Sequence, residues 1–156
     1  MIIKSKDYFN KKISWKKEYE IIVVKTDKDI NDMLKYFSNF IKLKSKNKYV
    51  GLDFEFNSSP EGKKIALFQI NLENDNNEAK IFLFYPPDLN YKNMDILVKL
   101  LTDINIKKIL HGAESLDIPY LFKNIFTDSK LRKQFCNNLF DTRYLCEYYH
   151  LENKMD

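Results

Sequence analysis

Two hydrophobic periods alternate along the chain, one typical of β-strands and one typical of α-helices. Runs rich in β-branched and aromatic residues predict strands at residues 19–25, 49–56, 64–72 and 80–85. Apolar residues spaced three and four apart predict an amphipathic helix from Thr26 to about Leu43, where Thr26 supplies an N-cap and acidic residues occupy the first turn. The first half of the chain is therefore predicted to contain strands, with one helix before the acidic strand at 49–56.

The order of these elements predicts the fold class. Turn residues at 57–62 and 71–78 separate three consecutive strands, which predicts an antiparallel meander. After residue 93 the pattern changes to a helix around 94–101, a short buried strand at 107–110, another helix, a strand at 138–140 and a last helix from Asp141. A meander followed by alternating strands and helices predicts an α/β fold with a mixed sheet flanked by helices.

Composition is consistent with one domain of ordinary size. The 156 residues are 44% hydrophobic, which is enough to bury a single core, and the net charge of +4 permits a nucleic-acid partner without demonstrating one. Residues 1–18 are a basic N-terminal arm containing Trp15, and residues 19–156 form the domain. The arm either contacts phosphates or is a solvated leader whose tryptophan packs on the domain; the second interpretation is favoured because charge runs usually face water.

Cysteine usage and the N-terminus indicate an intracellular protein, cytoplasmic or nuclear. Cys136 and Cys146 form no CxxC pair and have no histidine at zinc-finger spacing, so neither a zinc site nor a disulfide scaffold is indicated. The N-terminus lacks the apolar segment of an export signal, and no run reaches the ~18 apolar residues of a membrane span. We therefore expect a chain that is not exported and has no membrane partner.

The acidic strand carries the first candidate chemistry. Side chains alternate across a strand, so Asp53 and Glu55 share one face while Leu52, Phe54 and Phe56 share the other. Two bare carboxylates on a strand that otherwise looks buried are costly, and a divalent metal with oxygen ligands relieves that cost. The alternative interpretation is an edge strand with a solvated acidic face.

A second group of polar residues follows the strand at 107–110. The strand ends at His111, a glycine turn follows, and Asp117 falls in the first turn of the next helix, near the end of the strand. Taken alone, Asp117 is explained by the favourable charge of a helix N-terminus and His111 by burial with a hydrogen-bond partner.

Considered together, these segments resemble a known family. Asp53-Phe54-Glu55, Leu67-Phe68-Gln69-Ile70, Lys108-Ile109-Leu110-His111-Gly112 with Asp117 and Leu121, and Phe140-Asp141-Thr142 follow one another in the order and spacing of the DEDD superfamily of 3′-to-5′ exonucleases. The ribonuclease D and polymerase proofreading branch is the most similar, and the resemblance covers about residues 21–151. It implies a ribonuclease H-like fold.

The resemblance also implies a site and a substrate. Asp53, Glu55 and Asp117 would hold two magnesium or manganese ions and serve as the catalytic residues of phosphodiester hydrolysis. Substrate contacts are expected from Phe54, Phe56, Gln69 and His111. The substrate would be the 3′ end of single-stranded DNA or RNA. Asp141 is predicted to cap a helix and is left outside the metal set.

One family motif is absent. The fourth carboxylate lies in Tyr-x-x-x-Asp or His-x-x-x-x-Asp well after the Phe-Asp-Thr segment, whereas this chain ends at Asp156, and the similar spacing of Tyr148 and Glu152 is interpreted as coincidence. A shortened chain, a second polypeptide or homo-oligomer that completes the site, or a non-catalytic relative would each explain this. The sequence thus predicts a metal-dependent exonuclease, and alternatively an inactive module that binds nucleic acid or protein. A purely structural scaffold is the third and least favoured option.

Overall fold

The computed structural model describes residues 1–4, 19–76 and 78–145, and within them a seven-stranded sheet carries packed helices. The strands are β1 (Ile2–Lys4), β2 (Glu20–Val23), β3 (Lys48–Ser59), β4 (Gly62–Asn74), β5 (Ala79–Phe84), β6 (Ile106–Leu110) and β7 (Leu139–Asp141). The helices are α1 (Asp27–Lys42), α2 (Tyr91–Thr102), α3 (Asp117–Asn124) and α4 (Ser129–Cys136), with a 3₁₀ turn at Pro86–Asp88. Residues 142–145 are also helical.

The sheet is mixed, with strand order β1-β2-β5-β4-β3-β6-β7. Strands β3, β4 and β5 pair antiparallel, which confirms the predicted meander, while β6 and β7 extend the sheet in parallel beyond β3. Strand β6 pairs with β3 only from Lys48 to Gly51. Within the described residues, the part of β3 after Gly51 therefore has a strand neighbour only on its β4 side, and this free edge is where the acidic residues lie.

Alternation along β3 divides its side chains as predicted. Val50, Leu52 and Phe54 are buried, with Phe54 stacked on Phe68 at 4.0 Å between ring centroids, whereas Asp53 and Glu55 are exposed on the opposite face. Each fully buried large apolar side chain contributes about 1.5–3 kcal/mol. This core holds the backbone of β3 in place, so the acidic face of the strand rests on a rigid support.

Helix α1 covers the same core through an apolar stripe of Ile30, Met33, Leu34, Phe37 and Phe40. It begins with a capping box, in which Thr26 accepts from the amide of Asp29 and the Asp29 carboxylate accepts from the amide of Thr26. Backbone hydrogen bonds from Lys25 and Thr26 lower the pKa of Asp29 to about 2. The predicted helix start at Thr26 is confirmed.

Two buried lysines fix helix ends and strand positions. Lys48 Nζ donates to the carbonyl of Ile41 at 2.8 Å, at the C-terminus of α1. Lys108 Nζ donates to the carbonyl of Asn137 at 2.5 Å, just after α4, and burial lowers the pKa of Lys108 to about 8. Cations are favourable at helix C-termini. Lys108 also lies directly opposite the start of β7, so it helps to position the segment that ends at Asp141.

The turn predicted at 57–62 is shorter than expected. Strand β3 continues through Asn57 to Ser59, and only Pro60 and Glu61 separate it from β4. Ser59 Oγ donates to the carbonyl of Gly62, whose φ of 113° favours glycine. The residues from Asn57 to Ser59, which are typical of turns, are therefore part of the long arm of the β3–β4 hairpin. Their pairing with β4 outweighs their low strand propensity.

The single helix predicted between β6 and β7 is two helices. Residues 125–128 interrupt it, and Arg132 on α4 donates to the carbonyls of Phe122 and Phe126, at 3.0 and 2.8 Å. Phe126 stacks on Phe135 at 4.7 Å between centroids, which packs the two helices together. The break is stabilised by Arg132 and Phe135, which lie four and seven positions beyond it, so no local pattern indicates it.

Some predictions fall outside the described residues. Ile2–Lys4 of the basic arm form the edge strand β1, but residues 5–18, including Trp15, are not described, and neither are Cys146, Tyr148 and Glu152. Cys136 is exposed and free. Across the described ranges, every helix is too short or too polar to cross a membrane.

Candidate active site

The acidic pair on β3 is joined by an amide from β4. Gln69 lies directly opposite Asp53 in the strand register, and its Nε2 donates to Asp53 Oδ2 at 3.0 Å and to Glu55 Oε1 at 3.4 Å. Both carboxylates are exposed on the same face of β3. A single amide therefore holds the two carboxylates in a common orientation, since each hydrogen bond to an ionised group is stronger than a neutral one.

Asp117 belongs to α3, whose Tyr120 packs against Phe54 and Phe56 of β3 with ring centroids 5.4 and 5.8 Å apart. It is the first residue of α3 and only 8% exposed. Its burial, followed by the negative charges of Asp53, Glu55 and Asp141, raises the pKa of Asp117 from 3.8 to about 6. The negative charges of Asp53 and Glu55 therefore act on Asp117, and the region of these three carboxylates is called the acidic cleft below. Their role as metal ligands stays a prediction.

His111 lies at the end of β6 beside the same cleft and is exposed. Its Nδ1 is 2.8 Å from Thr142 Oγ1, and that hydroxyl in turn donates to the carbonyl of Leu110 at 3.2 Å. We assign the hydroxyl hydrogen of Thr142 to the carbonyl of Leu110, and this assignment makes His111 Nδ1 the donor to Thr142. Neutral His111 therefore carries its proton on Nδ1, and Nε2 is left as an acceptor with no protein partner within the described ranges.

Asp141 anchors the turn that leads to Asp117. Its carboxylate accepts from the amides of Gly112 at 2.8 Å, Ala113 at 3.0 Å and Arg143 at 2.9 Å. Burial alone would raise the pKa of Asp141, but these three backbone hydrogen bonds lower it below its ordinary value. Asp141 therefore caps the helical residues after β7, as the sequence predicts, and also holds the glycine turn, whose Gly112 has a φ of 61°.

Side-chain contacts also connect the loop after Gly112 to the residues that follow β7. Glu114 pairs with Arg143 at 3.2 Å, and its other carboxylate oxygen accepts from the hydroxyl of Tyr144. All three side chains are exposed, so the ion pair itself adds little stability. These contacts hold the loop before Asp117 against residues 142–145, and they therefore limit how far α3 can move away from the cleft.

The two phenylalanines predicted as substrate contacts differ in exposure. Phe54 is 5% exposed in the core, so it is not available to a ligand and is removed from the expected contacts. The reason is the period of the strand: residues flanking the acidic positions face the core. Phe56 is half-buried and packs edge-on against Tyr120, with ring centroids 5.8 Å apart, so one side of it remains open.

A cavity of about 480 Å³ extends from the cleft along the exposed face of the sheet. Its lining includes Asp53, Gln69, Asn71, His111 and Thr142. Gly51 and Asn71 face each other in the ladder, and Asn71 Oδ1 is buried with no hydrogen-bond partner among the residues that the structure describes. The predicted residues Gln69 and His111 are thus brought to one cavity with Asp53.

The donor chemistry fits a hard divalent cation, although the arrangement is not closed. Carboxylate oxygens are what magnesium and manganese prefer, and repulsion among the three carboxylates is what a cation would relieve. Within the described residues, however, no group of three or more His, Cys, Asp or Glu side chains is arranged to hold an ion. The Gln69 amide donates to one oxygen of Asp53 and one oxygen of Glu55.

Sequence reasoning missed two parts of this site. Thr142 was predicted only as part of the Phe-Asp-Thr motif, but it lies within hydrogen-bond distance of His111 and sets its tautomer. Gln69 was predicted to contact substrate, and the structure adds that its amide bonds the acidic pair. The contact between Thr142 and His111 could have been inferred from the pairing of β6 with β7. Leu110 lies opposite Asp141, so the residues that follow them, His111 and Thr142, are neighbours. The contact of Gln69 with Asp53 follows from the register of β3 and β4, in which the two residues lie opposite each other.

Comparison with known proteins settles the family. The sequence matches the 3′-5′ exonuclease family over residues 21–155. The chain belongs to this family. A relative from Acanthamoeba polyphaga mimivirus, the uncharacterised protein L533, is 42% identical over 112 residues, which are 70% of this chain and 21% of that protein. The chain thus spans about a fifth of the length of this relative.

Solved exonuclease structures share the fold. The Aedes aegypti Nibbler EXO domain has a TM-score of 0.54 at 14% identity, covering 85% of this chain and 56% of its own. Trypanosoma brucei RNase D, solved with GMP, has 0.52 at 17% identity, covering 78% and 32%. The EXD2 exonuclease domain has 0.51 at 15% identity, covering 82% and 58%. The ribonuclease H-like α/β fold and the resemblance to DEDD exonucleases are confirmed.

Proposed function

We propose that this domain is a metal-dependent 3′-5′ exonuclease that hydrolyses phosphodiester bonds at the 3′ end of single-stranded DNA or RNA. The proposal is supported by the packing of α3 on β3, where Tyr120 contacts Phe54 and Phe56, together with the charges of Asp53 and Glu55, which add to burial in raising the pKa of Asp117. Membership of the exonuclease family supports a hydrolase that acts on nucleic acids. Strand β3 and helix α3 are separate elements, so their convergence is a property of the fold.

The ligands of related structures support the proposed cofactor and substrate. One structure of the EXD2 exonuclease domain was soaked in Mg and GMP, and T. brucei RNase D was solved in complex with RNA U12. Those ligands belong to those proteins. For this chain we infer magnesium or manganese as cofactor, because its three carboxylates are hard oxygen donors, and a single strand as substrate.

Each residue of the cleft has a proposed part in the chemistry. Asp53, Glu55 and Asp117 would hold the ions, and Gln69 orients the first two through its amide. Divalent cations, when bound, stabilise the charge that develops on the phosphodiester and orient the groups that react. Without them the cleft repels a phosphate, since three like charges face it. His111 presents Nε2 as an acceptor for a water or a ribose hydroxyl at the strand end.

We further propose that another oxygen ligand comes from outside the described residues or from a second chain, which includes another copy of this one. The support is that the described carboxylates do not by themselves form an ion-holding group. The same observation favours a second candidate function, an exonuclease-like module that binds nucleic acid or protein without cutting. Cleavage of a nucleic-acid strand distinguishes the exonuclease from the binding module.

The test is degradation of a single strand labelled at one end or the other. DNA and RNA oligonucleotides carrying a 5′ label are incubated with the chain and manganese, and again with a chelator. An exonuclease of the proposed polarity gives a ladder that shortens stepwise from the 3′ end, and a 3′ label is released first as a mononucleotide. Strands that are bound but stay intact with every metal, alone or with a longer form of the chain, would establish the binding module instead.

A further inference from the structure

A polar groove lies where the parallel strands β3 and β6 begin, whereas His111 and the acidic cleft lie where β6 ends. It encloses about 560 Å³ between the C-terminal end of α1, the residues after α2 and the first residues of the two strands. Asp53 is five residues beyond Lys48 on β3, which is about 17 Å at about 3.3 Å per residue. A ligand in this groove therefore leaves the cleft open.

The groove carries an excess of positive charge. Its lining includes Lys46, Lys48 and Lys107 and, among the residues that the structure describes, no aspartate or glutamate. Asp75 lies close enough to interact with Lys46, but its carboxylate already accepts three hydrogen bonds from the loop before β3. Across the described ranges, neither Lys46 nor Lys107 forms an ion pair with a carboxylate. This surface therefore favours an anionic ligand.

The carbonyl groups that usually make a helix C-terminus negative are partly occupied at this groove. The Nζ of buried Lys48 donates to the carbonyl of Ile41, in the last turn of α1, at 2.8 Å. The Nδ2 of Asn138 donates to the carbonyl of Ile104, just after α2, at 3.0 Å. Lys48 is therefore used inside the fold, while the other two lysines keep their charges for a ligand. The groove thus presents donors, and a ligand must supply the acceptors.

Two aliphatic side chains border the same groove and are open to solvent. Leu43, just after α1, is 37% exposed, and Ile104, just after α2, is 63% exposed. Such side chains gain from burial against another apolar group, whereas the bases of single strands stack on aromatic rings. The ring of Tyr49, the residue after Lys48, is half-buried and has Lys107 Nζ over it, 5.5 Å from the centroid. The groove therefore suits a polypeptide better than a nucleic-acid strand.

We propose that this groove docks an acidic segment of a partner protein. Carboxylates of that segment pair with Lys46 and Lys107, and one of its aliphatic side chains packs on the apolar border. Complementary charge mainly sets the orientation and the association rate, and the contact with Leu43 and Ile104 adds apolar burial. This docking does not depend on the exonuclease reaction, because no residue of the groove belongs to the acidic cleft.

The test begins with a phage-displayed library of random peptides selected on the immobilised chain. The double variant Lys46→Ala, Lys107→Ala is present in solution during the selection, so that peptides that bind elsewhere on the domain are competed away. The selected sequences are expected to be rich in Asp and Glu and to contain Leu or Ile.

A fluorescent synthetic peptide of the selected consensus then gives the affinity by anisotropy. Lys46→Ala with Lys107→Ala is expected to weaken its binding about tenfold in low salt, the size of two exposed ion pairs. The difference should diminish in high salt, because exposed charges are screened. Leu43→Ser with Ile104→Ser should weaken binding of this peptide, but not of a version whose aliphatic residue is replaced by serine.

Matched controls separate a local effect from a general loss of charge. Lys35→Ala with Lys92→Ala removes two exposed lysines of α1 and α2 that lie outside the groove, and it is expected to keep the parent affinity. Lys46→Arg with Lys107→Arg keeps the charges and is expected to retain binding. Thermal unfolding of each variant checks that the domain stays folded.

The outcomes decide which partner the groove takes and keep this docking separate from the proposed function. Selected peptides without acidic residues, no peptide that needs both lysines, or an equal loss in the groove and control variants overturns it. Binding of a fluorescent single strand that needs Lys46 and Lys107, without such a peptide, also overturns it and assigns the groove to nucleic acid. The groove variant should shorten strands at the parent rate, so the exonuclease proposal stands or fails on its own assay.

Discussion

Gln69 lies directly opposite Asp53 in the β3–β4 ladder, and its Nε2 donates to Asp53 Oδ2 at 3.0 Å. The same amide reaches Glu55 at 3.4 Å, so one donor stands between two like charges. A bound cation would take over this part, because it too neutralises the pair. The amide therefore has a structural role in the metal-free domain, and a cation bound by these carboxylates would compete with it.

Replacing Gln69 by leucine should therefore make the domain more dependent on metal. Without metal at pH 7, Gln69→Leu is expected to lower the free energy of unfolding by about 0.5–1 kcal/mol, since exposed hydrogen bonds to charged groups contribute modestly. Manganese should stabilise this variant more than the parent. Urea unfolding with and without manganese measures both effects. Equal stabilisation of the two chains by manganese would contradict a shared position for amide and cation.

Asp117 should impose a pH dependence on stability. Its pKa is about 6 in the folded domain and has an ordinary value of 3.8. The folded state thus binds the proton more tightly than the unfolded state, so the contribution of Asp117 to stability falls as pH rises from about 4 to about 6 and is fully lost above 6.

Asp117→Asn should remove this pH-dependent loss of stability, because asparagine does not ionise. In the metal-free domain above pH 6 the variant is expected to be more stable than the parent by about 1–3 kcal/mol, the larger figure corresponding to the full shift. The difference should diminish toward pH 4. Urea unfolding of both chains in chelator from pH 4 to 7.5 checks this. A stability difference that does not change over that range would show that folding does not raise the pKa of Asp117.

His111 should hold its proton on Nδ1 when neutral, because Thr142 uses its hydroxyl hydrogen on the carbonyl of Leu110. Nitrogen-15 NMR distinguishes the two tautomers, and the signals are assigned with a His111→Asn chain. Thr142→Val removes the acceptor and should shift the population toward the Nε2 proton, the form usual in peptides. An unchanged tautomer ratio in Thr142→Val would contradict the hydrogen-bond chain.

Asp141 should matter for stability more than for ligand binding. Asp141→Asn leaves one carboxamide oxygen for the three amides of Gly112, Ala113 and Arg143, and the expected cost is about 1–2 kcal/mol in the free energy of unfolding. Since the pKa of Asp141 is lowered on folding, its contribution is present at neutral pH and lost as pH falls through that pKa. The variant should therefore differ least from the parent at low pH. A difference that stays constant down to pH 2 would assign the cost to something other than the carboxylate charge.

Local patterns predicted most of the sheet and the acidic face of β3, because alternation and capping are local properties. The start of α1 at Thr26 and the opposite faces of Asp53 and Phe54 follow from neighbouring residues alone. What the sequence left out depends on contacts between distant segments. Arg132 stabilises the break between α3 and α4 by reaching carbonyls of Phe122 and Phe126, and Thr142 meets His111 across 31 positions.

The surroundings of Lys63 were likewise hidden from the sequence. The predicted turn covers residues 57–62 and the predicted strand begins at Lys64, so Lys63 had no assigned element. In the structure, Lys63 belongs to β4 and lines one cavity with Lys123 of α3, sixty positions away in the chain. The length of the β3–β4 hairpin arm brings the two together.

The central claim is that Asp53, Glu55 and Asp117 act as one metal-dependent centre for removing nucleotides from a 3′ end. The decisive measurement is the rate at which a 5′-labelled single strand is shortened in manganese by the parent and by Asp53→Asn, Glu55→Gln and Asp117→Asn. Asp95→Asn, on the exposed side of α2, is the matched control. All assays use whichever form of the chain, alone or completed by a further segment or partner, shortens the parent strand.

The account predicts that each of the three cleft variants loses at least a hundredfold in rate, that the control keeps the parent rate, and that a chelator abolishes shortening in every case. The losses should not add when variants are combined, because the residues act as a unit. Shortening that survives in Asp53→Asn at the parent rate, with the metal requirement unchanged, would contradict the claim and place the reaction elsewhere on the protein.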